Sequence, residues 1–97
     1  MNIIEMLSES SILVDFDASS KKHVLDCLSR LAEKEIKVSY RIILDSLIKR
    51  EKLGSTAVGN GIAIPHATEI SLDKPKGFLA ILSSGLEFNA NDDQPVD

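Results

Sequence analysis

The chain carries two histidines, and one of them, His66, follows Pro65 at the end of the stretch GSTAVGNGIAIPHA, residues 54–67. An imidazole placed after a buried strand and behind a rigid proline is held in one direction. Because imidazoles ionise near neutrality, a nucleophilic neutral form is available at cytoplasmic pH. That is the chemistry of a phosphoryl acceptor. The product, a dianionic phosphoramidate, needs hydrogen-bond donors around it. Gly59 and Gly61, flanking Asn60, can let backbone N–H groups turn inward as an anion nest, and Arg50 can offer a planar fork of donors. Phosphoryl transfer depends mainly on positioning and charge stabilisation, so one His, one Arg and a glycine loop could suffice without a metal or other cofactor. On spacing alone, a single His after a strand is more often structural than reactive, and GNG is an ordinary turn. The loop also lacks the Lys and Ser/Thr of a P-loop.

The elements that must position these residues are legible in the hydrophobic pattern. Asn2 followed by apolar positions 3, 4 and 7 suits one or two helical turns, and residues 12–14 form a short apolar strand. Residues 19–35 open on Ser19-Ser20 and repeat apolar positions at 24, 28, 31 and 32, an amphipathic helix. A second helix runs from Ser39 as N-cap to about Leu53, with a cationic last turn (Lys49, Arg50, Lys52) and Gly54 as its stop. Beyond it come the glycine loop, a strand at 62–64, a polar turn at 71–76 and a continuous apolar strand at 77–82 that suits a sheet covered on both faces. The remainder, GLEFNANDDQPVD, reads as turn and loop. Helices followed by short buried strands predict an α/β layered domain. Three strands make a thin sheet with an unprotected edge, so the chain looks unfinished.

Composition narrows the function classes. Ninety-seven residues fit one domain. A net charge of −4 and an aromatic content of 4% without Trp argue against a nucleic-acid binder, which draws on clustered Lys and Arg and on base stacking. No run approaches the ~18 apolar residues of a membrane span, and no signal-peptide pattern opens the chain, so the expected location is the cytoplasm. Cys27 has no partner for an internal disulfide and lies at the margin of the first long helix's apolar stripe, which predicts partial burial. His23 falls on the polar side of that stripe and reads as solvent-facing. Asp92-Asp93 reads as a solvated turn.

The stretch REKLGSTAVGNGIAIPHA, residues 50–67, resembles the active-site signature of enzyme IIA domains of the mannitol/fructose class of the bacterial phosphoenolpyruvate phosphotransferase system. Its wording and the later FNANDDQPVD are most similar to the nitrogen-regulatory branch, and the resemblance runs over nearly all of the chain. It implies an α/β fold with a mixed sheet flanked by helices, here one domain over 1–97 without the C-terminal strand, helices and second active-site His that family domains of roughly 150 residues carry. It also implies that His66 accepts a phosphoryl group from an HPr-like phosphocarrier protein, that Arg50 stabilises the phosphate, and that Asn60 sits beside the site between Gly59 and Gly61. In the sugar branch the group passes to an enzyme IIB domain for sugar transport; in the nitrogen branch it alters which regulatory partners bind. No IIB or IIC segment is attached in these residues, which favours the regulatory branch. Ala57 and Ala67 stand where relatives often have Gly, and both are expected to be tolerated. Apolar faces shaped for missing elements would leave the short chain prone to self-association.

Overall fold

Two serines start the two helices of the described residues. In the computed structural model, which describes residues 11–67, 70 and 76–97, Ser20 caps α1 (Lys21–Ile36) by accepting the His23 N–H, and Ser39 caps α2 (Tyr40–Leu53) by accepting the Arg41 N–H. A capping side chain satisfies one of the donors that a helix start leaves free. α1 ends on Lys37 in the left-handed region, and its N–H returns to the Glu33 carbonyl. The Glu33 side chain accepts the Tyr40 N–H at 2.9 Å, so the two helices fold back as a hairpin over a three-residue connection. The helix expected over 2–7 and most of the turn at 71–76 lie outside the described residues.

The α/β class holds, and the strands of the described residues form two small sheets, one parallel and one antiparallel. β1 (Ile12–Phe16) pairs in parallel with β4 (Leu79–Leu82), while β2 (Ala57–Gly59) and β3 (Ile62–Ala63) form a separate antiparallel hairpin. A parallel pair needs a long crossover, and both helices and the hairpin lie inside this one. Within β1, Asp15 has a φ of 53° and the pairing steps from Leu13 opposite Ala80 to Phe16 opposite Leu82. The extra residue is a β-bulge. It resets the alternation, so that Phe16 packs with Ala80 and Leu82 against Val24 and Leu28 of α1.

A second cluster joins the helices to each other through Leu25, Ala32, Ile43 and Leu47. Leu25 is only 2% exposed, and burying such a side chain contributes roughly 1.5–3 kcal/mol. The other face of the parallel pair contrasts with this. Ile12, Val14, Leu79 and Ile81 all stay exposed, Val14 at 67% and Ile81 at 48%, so the run at 77–82 is covered on one face only among the described residues. The segment 85–97 is turn and loop, as expected, but Phe88 within it is 2% exposed, and Leu86 and Val96 exchange backbone hydrogen bonds.

One polar cluster ties these parts together. Glu51, in the last turn of α2, pairs with Lys21 at the start of α1 at 2.7 Å and accepts from the side chain of Thr56 just before β2. Lys21 also stands over the Phe88 ring at 4.8 Å. Burial by itself would raise the Glu51 carboxyl, but Lys21 and Thr56 outweigh it and hold the group below its usual value. A carboxyl lowered in the folded state stabilises the fold above its unfolded value, about 4.3, and loses that contribution as pH falls through the folded value. Thermal melts of wild type and Glu51→Gln should therefore differ most near neutrality and converge on acidification below about pH 4. A gap independent of pH would contradict the assignment.

Candidate functional site

The turn that precedes His66 is an Asn-Gly hairpin. β2 ends at Gly59 and β3 begins at Ile62, leaving Asn60 and Gly61 as the loop, with φ of 57° and 78°. Two successive positive φ values suit the twist of a two-residue hairpin, and Asn-Gly is the pair that tolerates them best. The Thr56 carbonyl accepts the Ile64 N–H at 3.0 Å and extends the hairpin by one pair. Pro65 then turns the chain, and His66 emerges exposed.

Two hydrogen bonds fix the imidazole. Nδ1 lies 3.0 Å from the Ile64 carbonyl oxygen, and Arg50 Nε donates to Nε2 at 3.2 Å. A carbonyl can only accept and a guanidinium can only donate. The ring therefore carries its proton on Nδ1 and its lone pair on Nε2. Arg50 reaches it from the last turn of α2 and is itself held by donating Nη1–H to the Gly54 carbonyl at 2.8 Å. Among the described residues no carboxylate is paired with Arg50, so its charge is shared between the imidazole and the Gly54 carbonyl.

His66 and Arg50, which the sequence put together, are thus in direct contact. The glycine turn is placed differently from an open nest. The Asn60 N–H donates to Asp92 at 2.8 Å, and a Cβ on Gly61 would come within 3.0 Å of the Asp97 carboxylate. Asp92 also accepts the Gln94 N–H; these two bonds hold its carboxyl below the usual value, within the exposed turn expected at Asp92-Asp93. His23 is likewise only half-exposed. Its Nδ1 accepts the Ser19 N–H at 3.0 Å and its ring lies 5.6 Å from that of Phe16, so its lone pair is engaged in the backbone. Cys27 is half-buried, as its stripe position suggests, and burial raises its thiol. Sequence reasoning missed Glu51, Thr56 and the Gly54 and Ile64 carbonyls. The acid was visible only as one more charge in a basic helix end, and carbonyl partners leave no trace in residue types.

The surroundings are apolar. Leu53, at the end of α2, and Val58, Ile62 and Ile64, on the hairpin that leads to His66, are all exposed. Beside the ring a cavity of about 510 Å³ opens between the helices and the chain around Phe78, lined by Leu28, Ala32, Ile43, Leu47 and Phe78 among others. No group of three or more His, Cys, Asp or Glu side chains suited to a metal comes together among the described residues. No helix among them is long and apolar enough to cross a membrane.

Comparison with known proteins is specific. Residues 5–97 match the family described as phosphoenolpyruvate-dependent sugar phosphotransferase system, EIIA 2. The nitrogen regulatory protein of Klebsiella oxytoca is 36% identical over all of this chain and 60% of its own length. The fructose-specific EIIABC component of Bacillus subtilis is 30% identical over 99% of this chain and 15% of its own length. The crystal structure of nitrogen regulatory protein IIA-Ntr from Neisseria meningitidis superposes with a TM-score of 0.91 at 34% identity, covering 99% of this chain and 66% of that one. The chain thus spans less than two thirds of the length of these relatives. The similarity fits the nitrogen-regulatory branch.

The hydrogen-bond pattern makes a direct prediction about the ring. Nitrogen-15 shifts of neutral His66 should report a protonated Nδ1 and an unprotonated Nε2, and those of neutral His23 the opposite tautomer. A proton on Nε2 of neutral His66 would contradict the geometry.

Proposed function

The chain belongs to the phosphoenolpyruvate-dependent sugar phosphotransferase system EIIA 2 family, and from that premise we propose that it is a phosphohistidine carrier whose acceptor atom is Nε2 of His66. The observation that carries this reading is the pairing of a bare Nε2 with Arg50 Nε–H while Nδ1 keeps its proton on the Ile64 carbonyl. The donor is a phosphocarrier protein of the HPr kind. The exposed apolar side chains on the α2 end and the hairpin that carry Arg50 and His66 support a protein donor, since exposed apolar surface favours association.

In the step itself, the Nε2 lone pair attacks the phosphorus of the carrier's phosphohistidine, and the carrier's imidazole leaves with the electron pair of its own P–N bond. The His66 proton remains on Nδ1, where the Ile64 carbonyl accepts it, so no base is required. The Arg50 guanidinium already adjoins Nε2 and can pass its N–H groups to the phosphoryl oxygens as they arrive, in the fork geometry that suits phosphate. The Gly59–Asn60–Gly61 turn serves as the hairpin that aims the ring. Its Asn60 N–H would reach a phosphate only by displacing Asp92.

The output we propose is regulatory and cytoplasmic: the added dianion changes which protein partners fit this face. This choice rests on the identities to nitrogen regulatory proteins. The alternative, passage to an enzyme IIB domain as in a fructose-type system, is tested by mixing the phosphorylated protein with such a domain and following the label.

Two variants test the acceptor and its partner. His66→Ala should abolish an acid-labile gain of one phosphate from a phosphorylated carrier, while His23→Ala should retain it; the reverse would sink the assignment. Arg50→Lys keeps charge but loses the fork. Loss of one charge-assisted hydrogen bond, about 1.5–3 kcal/mol, should slow phosphorylation roughly 10- to 100-fold. A wild-type rate would rule out the role given to Arg50.

A further inference from the structure

Glu51 stands next to Arg50 in the chain but turns into the fold. Its side chain is 6% exposed, against the exposed setting of the Arg50–His66 contact. Successive helix residues project about 100° apart, so one turn of α2 can send an arginine to the surface and a glutamate inward. The carboxylate then gathers three donors from two other segments: Lys21 Nζ at 2.7 Å, the Thr56 hydroxyl, and the Thr56 N–H at 3.4 Å. From Thr56 a continuous line of bonds leads to the ring. The Thr56 carbonyl accepts the Ile64 N–H, and the Ile64 carbonyl faces His66 Nδ1. On the other side, Gly54, between Glu51 and Thr56 in sequence, offers the carbonyl that holds Arg50 Nη1.

We propose that Glu51 is a positioning residue, a buried clamp that closes the 51–56 turn and thereby sets both partners of the Arg50–His66 contact. It touches neither the ring nor the guanidinium. It fixes the start of the hairpin that aims the imidazole and the helix end from which Arg50 reaches out. Lys21 extends the clamp to α1 and to Phe88, so the segment from 86 to 97, which carries Asp92 to the hairpin turn, closes on the same point. The consequence for phosphorylation rests on the phosphoacceptor reading given above; the consequence for the resting ring does not.

The experiment compares wild type, E51Q, T56V and a core control, L25A, by nitrogen-15 NMR of the Arg50 Nε–H and the His66 ring, by thermal melting, and by phosphorylation rate from a phosphorylated HPr-like carrier. E51Q should move the Arg50 Nε–H signal toward that of free arginine and speed its exchange at least 10-fold. It should also mix the two His66 tautomers and slow phosphorylation about 10-fold or more. T56V should reproduce the change at His66. L25A should melt lower while leaving both signals in place, which separates positioning from lost stability. If E51Q does not fold, T56V decides alone. Arg50 and His66 signals at wild-type positions in every folded variant of Glu51 and Thr56 would overturn the proposal, whatever the melting temperatures. Wild type that takes no phosphate on His66 would overturn the phosphoacceptor reading instead, and the resting signals would still judge the clamp.

Discussion

A neutral imidazole has one lone pair, and which nitrogen bears it is decided by where the proton on the other is held. At His66 that decision is made by a backbone carbonyl two residues earlier, at the end of a hairpin whose register is fixed by an Asn-Gly turn. Everything else in the site depends on it. Arg50 can donate to Nε2 only because Nδ1 keeps the proton, and the residue that carries this contact is exposed. His23 shows the opposite arrangement, its Nδ1 lone pair spent on the Ser19 N–H beside a helix start. The two histidines differ in which nitrogen keeps the lone pair and in its donor, a guanidinium at His66 and a backbone N–H at His23, as well as in exposure.

Holding that contact requires two elements distant in sequence to end at one point. α2 supplies Arg50 and the hairpin supplies His66, and the short chain between them is pinned by Glu51 through Thr56. A buried ion pair is a weak source of net stability, because desolvation offsets most of the attraction. Its value here lies in geometry. Lys21, Glu51 and Thr56 belong to three segments, and their mutual satisfaction is compatible with only one relative placement of those segments. Phosphoryl transfer under the proposed function is chemistry of position and charge, so a clamp of this kind has a direct route to rate.

The helices were legible in the sequence because their signals are local: a serine cap, an apolar period near 3.6, a cationic end, a glycine stop. His66 and Arg50 were legible for a different reason, as part of a long motif resembling a known family. What the sequence hid is non-local. Asn60-Gly61 reads equally well as an anion nest or as a hairpin turn, and only Asp92, thirty-two residues away, selects the second in the resting protein. The bulge at Asp15 places Phe16 on the buried face against the simple alternation of its strand. Phe88 sits in a segment whose Asn, Asp and Pro content reads as turn and loop, yet its ring is buried and lies beneath the Lys21 ammonium.

The central claim is that the reactive atom of this protein is Nε2 of His66, made available by a proton kept on Nδ1. The most direct measurement is phosphorus–nitrogen coupling in the nitrogen-15-labelled protein after phosphorylation by the carrier. The account predicts that phosphorus is bonded to Nε2 of His66 while Nδ1 still carries its proton toward the Ile64 carbonyl. Phosphorus bonded to Nδ1 of His66, or to either nitrogen of His23, would contradict it.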